Sequence, residues 1–240
     1  MTNDSESSLE QIEAEVRNVT AEQHQEEAGL VDDLLTCCLR GFTRLRSFTL
    51  ADDNRLQFAH LLLATRSFSS VRCSYTLLQQ GYYTQALTLI RSAMEDNLTA
   101  LDCEKFEATV AALLNGQGEL GKGKLTYTEM AKRQGSGFYQ AWSSNYGVVS
   151  EYAAHARRNS LKILVDPTTG DLQLGGRYNK DLFVGACDAL LAAASGTADL
   201  VARVLGEDAV PWQKETYPKL KAANEWREKI RDEIETGGKI

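Results

Sequence analysis

The sequence contains little proline, no repeat of 20–50 residues and no regular alternation of strands with helices. Only three of its 240 residues are proline, so little interrupts long helices before residue 166. The missing repeat argues against a solenoid, and the missing alternation argues against a parallel sheet. These absences, together with 43% hydrophobic and 25% charged residues, leave an all-α globular fold as the expectation.

The five cysteines form no pattern typical of disulfides or metal sites. Their number is odd, and no C-x-x-C spacing occurs among Cys37, Cys38, Cys73, Cys103 and Cys187. Each lies in an apolar helical context, which favours free thiols in a reducing compartment. We expect no metal and no other cofactor, with redox activity of the adjacent Cys37 and Cys38 as the alternative.

Neither an excess of positive charge nor a membrane-spanning run is present. With 26 Lys and Arg against 33 Asp and Glu, the formal net charge is −7, which does not support nucleic acid binding. The N-terminus is acidic where a signal peptide would be basic. The most apolar stretch, 182–205, contains Asp188, Asp199 and Arg203, which is too much charge for a membrane span. We therefore expect a cytoplasmic protein without a membrane segment.

Helical spacing of apolar residues predicts an antiparallel bundle over residues 28–206. An acidic segment, 1–27, precedes it and is expected to be partly disordered or to form a docked helix. A C-terminal helix and tail, 207–240, follow it. Within the bundle, residues 161–174 alternate apolar and polar side chains around a Pro-Thr-Thr-Gly turn, and this pattern predicts one small β-hairpin insertion.

The central feature of the predicted bundle is a long αα-hairpin. Its helices cover about 54–80 and 82–102, with Gly81 at the turn between them. Apolar residues recur every three or four positions in both helices, which is the spacing of packed antiparallel helices. The stripes predict deep burial of six side chains: Phe68, Val71, Tyr75, Leu87, Ile90 and Met94.

A line of polar residues follows one edge of the second hairpin helix. Arg91 and Glu95 are four residues apart there and can form an ion pair. In a later helix, Tyr152 and His155 share a face, and Arg157 and Arg158 follow them. We expect Arg91, Glu95, Tyr152 and His155 to form one polar cluster, because a buried charge without a partner is costly. Arg91 and Glu95 either form a structural ion pair that fixes helix register or line the floor of a polar pocket. His155 is either a satisfied core residue or, with Tyr152 and the two arginines, part of an anion site.

Two sequence motifs suggest chemistry but are incomplete. Arg55 and His60 fit the R-x(4–6)-H pattern of helical ribonucleases, yet they lie about 140° apart on a continuous helix. A second match, from Arg17 to His24, is no more than chance provides. Residues 116–122 fit the first seven positions of a P-loop, but glycine replaces the Ser or Thr that would bind Mg²⁺. A flexible loop explains this glycine-rich segment better.

Residues 81–95, Gly-Tyr-Tyr-Thr-Gln-Ala-Leu-Thr-Leu-Ile-Arg-Ser-Ala-Met-Glu, resemble a family of uncharacterised bacterial all-helical proteins. Those proteins have A-x-x-L-x-R-S-x-x-E in their central helix and a Y-x-x-H-like segment later, which Tyr152 and His155 match. The resemblance covers about residues 55–205. It implies a bundle that is HEPN-like in outline, found in mobile-element or defence-related gene contexts. No R-x(4–6)-H motif ends at His155.

Two classes of function remain open from the sequence. The first is a cytosolic helical interaction or regulatory module that binds a protein partner or forms a homo-oligomer. The second is a HEPN-like, RNA- or nucleotide-directed enzyme that uses the polar cluster in the bundle. Convergence of Arg91, Glu95 and His155 in an accessible cleft would favour the enzyme, and a sealed, mutually satisfied cluster would favour the module.

Overall fold

The computed structural model describes residues 8–45, 54–116, 120, 125–153 and 176–236. All regular elements in these ranges are helical, which confirms the all-α expectation for the described residues; the predicted β-hairpin at 161–174 lies outside them. A short 3₁₀ turn, Gly206–Asp208, precedes the last helix. The α-helices are α1 (Leu9–Gln23), α2 (Gln25–Arg44), α3 (Arg55–Gln79), α4 (Tyr83–Cys103), α5 (Glu107–Asn115), α6 (Tyr127–Arg133), α7 (Ser136–Tyr152), α8 (Lys180–Leu205) and α9 (Ala209–Glu235).

Helices α3 and α4 form the predicted hairpin. Gly81 has a φ of 79°, in the left-handed region that glycine adopts without strain. The backbone N–H of Tyr82 reaches back to the Leu77 carbonyl at 2.9 Å, which satisfies an acceptor left free at the end of α3. The two helices then pack along most of their length. A single glycine turn therefore sets the direction of both helices.

The core lies between α3, α4 and α8. Helices α2 and α9 cover one side of this layer, and α5, α6 and α7 pack around α4. Helix α8 begins at the Asn179 cap, whose side chain accepts a 2.9 Å hydrogen bond from the Leu182 N–H. The stretch Lys180–Ile234 is long and apolar enough to cross a membrane by length and composition, but 61% of its most apolar window is buried. The core helices of soluble proteins pass the same test.

Burial in the hairpin agrees with the predicted stripes except at Phe68. Ile90 is fully buried, and the other four large side chains of the two stripes are at most 7% exposed: Val71, Tyr75, Leu87 and Met94. Phe68 is only half-buried, which corrects the expectation of deep burial. It contacts Phe42 of α2 edge to face, with ring centroids 5.5 Å apart. Phe68 therefore marks the edge of the core, where α2 meets α3.

The backbone at residues 176–177 crosses the turn between α3 and α4. A Cβ atom on Gly176 would lie 1.6 Å from the Gln80 carbonyl oxygen, so the crossing requires glycine there. A Cβ on Gly81 would lie 2.4 Å from the backbone of Arg177. The Tyr83 hydroxyl secures the crossing: it accepts from the Asn179 N–H at 2.9 Å and donates to the Asn179 carbonyl at 3.2 Å. The start of α8 is thus fixed on the hairpin turn.

Candidate functional site

Arg91, Glu95 and Tyr146 form the centre of the candidate site. The Arg91 Nε donates to Glu95 Oε1 at 2.9 Å and lies 2.9 Å from the Tyr146 hydroxyl. That hydroxyl donates to the same Glu95 oxygen at 2.6 Å, and the guanidinium also lies over the Tyr146 ring, 5.2 Å from its centroid. Arg91 and Glu95 pair as their spacing predicts, and their common partner comes from α7.

Two tyrosine hydroxyls beside Glu95 are held in the protonated form. Burial, assisted by the hydrogen bond to Glu95, raises the pKa of Tyr146 to about 12. Burial and then the Glu95 charge raise the pKa of Tyr127 to about 12. Both side chains are therefore hydrogen-bond donors at physiological pH rather than proton acceptors. Neither hydroxyl is therefore a base at that pH.

A second ion pair lies beside the first, between Asp96 of α4 and Arg66 of α3. The Asp96 side chain has no solvent exposure, whereas that of Arg66 is 56% exposed. The Arg66 Nε lies 2.9 Å from each Asp96 carboxylate oxygen, and its Nη2 binds Oδ1. Burial raises the pKa of Asp96, and the hydrogen bonds from Arg66 oppose that rise. We call Arg66, Arg91, Glu95, Asp96, Tyr127 and Tyr146 the α4 polar cluster.

Asp102, six residues after Asp96 on α4, is likewise fully buried and bonded. It accepts from the Thr109 hydroxyl at 2.6 Å and from Arg133 at 2.9 Å. The Gln134 amide adds a longer contact at 3.3 Å. The Arg133 guanidinium also lies 4.3 Å from the centre of the Phe106 ring. These contacts join α5 and α6 to the end of α4.

The remaining residues of the predicted cluster are Tyr152, His155, Arg157 and Arg158. Tyr152, at the end of α7, is half-buried and packs against the main hydrophobic core. His155, Arg157 and Arg158 lie outside the described residues. Their convergence with Arg91 and Glu95 therefore stays a prediction.

Arg55 and His60 bind different partners. His60 is buried, and its Nε2 lies 3.3 Å from the Ala100 carbonyl oxygen, so this nitrogen carries the proton. Burial lowers the pKa of His60, which keeps the ring neutral. Arg55 approaches Glu107, with Nη2 and Oε1 3.8 Å apart. The two residues of the other R-x(4–6)-H match are also in different environments. Arg17 is exposed, whereas His24 is buried and stacks on Phe183, with ring centroids 4.3 Å apart.

The cysteines are free thiols, and four of the five are buried. Burial raises the pKa of Cys38 to about 12, which suppresses the reactive thiolate. Cys73 is exposed, unlike the others. Among the described residues, no group of three His, Cys, Asp or Glu side chains is placed to hold a metal ion.

Local sequence spacing predicts only part of the α4 polar cluster. Arg91 and Glu95 are visible from their spacing of four, but Asp96 lies on another face of the same helix and is not part of that pattern. Asp96 is buried because α4 is surrounded by other helices. Tyr146 and Arg66 belong to α7 and α3, so only tertiary packing brings them to the site.

Comparison with known proteins finds no match for this chain, whether among protein-family models, curated proteins or solved structures.

Proposed function

We propose that this protein is a non-catalytic helical interaction or regulatory module of the cytoplasm. The observation that carries the proposal is the closed hydrogen bonding of Arg91, Glu95 and Tyr146. The Arg91 Nε, one Glu95 carboxylate oxygen and the Tyr146 hydroxyl are occupied by one another, and the buried carboxylate of Asp96 is bonded to Arg66. An acid–base catalyst needs a group that is free to exchange a proton with its substrate. The triad instead joins α4 to α7 and supports a fixed bundle.

The surface that supports an interaction is the outward face of α9. Val210 is 54% exposed and Tyr217 is 68% exposed. They are seven residues apart, so they lie on the same side of the helix. Trp212, between them, is buried and its Nε1 donates to the Cys37 carbonyl at 2.8 Å, which fixes α9 on α2. The two exposed side chains are therefore presented by a firmly attached helix.

The competing hypothesis is a HEPN-like enzyme directed at RNA or nucleotides. The observation in its favour is that the side chains of Arg91 and Glu95 are partly exposed to solvent, by 24% and 16% respectively, so a ligand can reach them. The resemblance of residues 81–95 to bacterial all-helical proteins also implies this outline, with a mobile-element or defence-related context. Under this hypothesis Arg91 would bind phosphate and His155 would take part in proton transfer.

An activity assay separates the two hypotheses. Purified protein, His155→Ala and Arg91→Ala are incubated with single-stranded RNA and, separately, with ATP. The module hypothesis predicts that the three proteins are indistinguishable in product formation. Turnover by the wild-type protein that His155→Ala abolishes, with an unchanged melting temperature, would overturn the proposal.

The interaction surface has its own test, with a second copy of the chain as the first partner. We expect sedimentation to show a mass that rises with protein concentration. The double variant Val210→Lys/Tyr217→Lys should remain monomeric, whereas Leu39→Lys, at a 50% exposed position on α2, should behave as the wild type. A wild-type protein that stays monomeric at every concentration would contradict self-association through α9.

A further inference from the structure

The outward face of α9 carries positive charge in its first half and negative charge in its second half. The residues of this face recur every three or four positions, and all of them are exposed: Val210, Lys214, Tyr217, Lys221, Glu225, Glu228 and Asp232. Both lysines precede all three acids in the sequence. The sign of the charge on this face therefore reverses once along the helix.

Charges of α9 that would mix the two halves are paired with the bundle instead. In the first half, the acid Glu215 pairs with Arg44 of α2 at 2.9 Å. In the second half, the bases Arg227 and Arg231 pair with Asp188 of α8, at 2.8 Å and 3.1 Å. Contacts within the molecule thus use these residues, and the outward charges stay separated by sign.

The stability of α9 alone does not explain this separation of charge. A helix dipole favours acids in the first turn and bases in the last turn, but α9 has neither. Lys221 and Glu225 approach each other at 3.6 Å, yet both are more than 60% exposed, so their pairing within the helix is weak. Lys214 and Asp232 lie about 27 Å apart along the axis and cannot pair within one chain. The outward charges are therefore available to another molecule.

We propose that the outward face of α9 binds the same face of a second copy of this chain, with the two helices antiparallel. The arrangement rests on the proposed self-association through α9. With the two-fold axis at the level of Ala223, Lys214 faces the second copy's Asp232. In the same register Lys221 faces the second copy's Glu225, and the symmetry repeats both pairs. Parallel helices would instead bring each charge to its own equivalent, so like signs would meet.

A groove lies at the middle of this face, where the two-fold axis would pass. It has a volume of about 520 Å³ and is lined by Ser195 of α8 and, from α9, by Leu220, Asn224 and neighbouring outward residues. The groove gives room for side chains of the second copy near the axis. Two Asn224 amides meet there, and each carries a donor and an acceptor for the other. The apolar contacts of Val210 and Tyr217 supply free energy of association, while the charges set direction and register.

Two charge-reversal variants test the antiparallel register. Lys214→Glu places an acid opposite the second copy's Asp232, and Asp232→Lys places a base opposite the second copy's Lys214. Each variant alone replaces two attractive pairs with two repulsive ones, so its self-association should be about 10-fold weaker than that of the wild type. In an equimolar mixture, one copy of each variant restores opposite charges at both pairs. Sedimentation of the mixture should show a dimer at concentrations where each variant alone is monomeric.

Lys105→Glu controls for net charge, because Lys105 is exposed between α4 and α5 and its reversal changes the net charge as much as Lys214→Glu. This control should associate as the wild type does. If it weakens association as much as Lys214→Glu, net charge is the cause and the arrangement is overturned. A wild type that self-associates, with a mixture that associates no better than either variant, would overturn the antiparallel arrangement and leave self-association through α9 standing. A wild type that is monomeric at every concentration would overturn both.

Discussion

The Tyr146 hydroxyl donates a 2.6 Å hydrogen bond to the Glu95 carboxylate across 51 positions of sequence. Tyr146→Phe removes this bond and keeps the ring that stacks on Trp142. Because Glu95 is 16% exposed and retains Arg91, we expect a loss of about 1–3 kcal/mol in the free energy of unfolding. Urea denaturation measures it. Tyr139→Phe, on the same helix, is the matched control and should have little effect, since its hydroxyl bonds to none of the described residues.

Gly41 and Gly29 give a paired test of helix packing within α2. A Cβ at Gly41 would lie 2.2 Å from a methyl group of Val201 and 3.2 Å from the Trp212 nitrogen. Gly41→Ala should therefore destabilise the protein by about 1–3 kcal/mol, as overpacking does. No atom lies within 4 Å of a Cβ at Gly29, so Gly29→Ala should stabilise it by up to about 1 kcal/mol. Thermal unfolding distinguishes them, and shifts of the same sign would contradict this packing.

The centre of the αα-hairpin is tested by Ile90→Ala. Ile90 is fully buried, and its truncation should cost about 2–5 kcal/mol in the free energy of unfolding. Leu62→Ala is the control, because this leucine is 44% exposed on the neighbouring helix and should change stability by less than about 0.5 kcal/mol. Chemical denaturation of both variants measures the difference. A loss below about 1 kcal/mol at Ile90 would mean that the stripe is not the core.

Asp96 should make stability depend on pH. Its pKa is raised above the ordinary 3.8 by burial, so the folded state keeps a proton that the unfolded state has already lost. The contribution of this carboxyl to the free energy of unfolding of the wild type therefore falls as the pH rises from about 3.8 to beyond the raised pKa. At higher pH this contribution is constant. The amide side chain of the Asp96→Asn variant does not titrate. The free energy of unfolding of this variant, relative to wild type, should therefore increase over the same window.

The control for this pH series is Arg66→Met. It removes the cation that opposes the rise in the Asp96 pKa, so the window should move to higher pH. At neutral pH this variant also leaves a buried carboxyl with fewer partners, which should destabilise the fold. Denaturation at a series of pH values measures both effects. A relative stability of Asp96→Asn that decreases with rising pH would contradict the expected direction.

The parts of the fold that the sequence predicts well are those set by local spacing. The positive φ of Gly81 and the stripe through Ile90 are both readable without knowledge of the partners. Phe68 occupies an equivalent stripe position, yet its burial depends on how much of α2 covers it, and the Phe42 ring contacts it without burying it fully. Periodicity identifies the face of a helix but not the extent of the neighbour that covers it.

The candidate site also has one part that local spacing predicts and another that depends on tertiary packing. Arg91 and Glu95 can be paired from one helix because their separation is fixed by helix geometry. Their link to Tyr146, and the pairing of Asp96 with Arg66, depend on which helices surround α4. Arg55 and His60 show that a matching spacing does not by itself bring two side chains together. Their spacing fits the ribonuclease pattern, but Arg55 approaches Glu107 while His60 bonds to the Ala100 carbonyl.

The backbone crossing at Gly176 and Gly81 has a consequence for the order of folding. The α3–α4 hairpin closes through a short turn, whereas the bond between Tyr83 and Asn179 joins residues 96 positions apart. Closing a longer loop costs more chain entropy, so we expect the hairpin to form early and the crossing to close late. Contacts that form late affect unfolding more than folding. Gly176→Ala should therefore shorten the lifetime of the native state while the rate of refolding changes little.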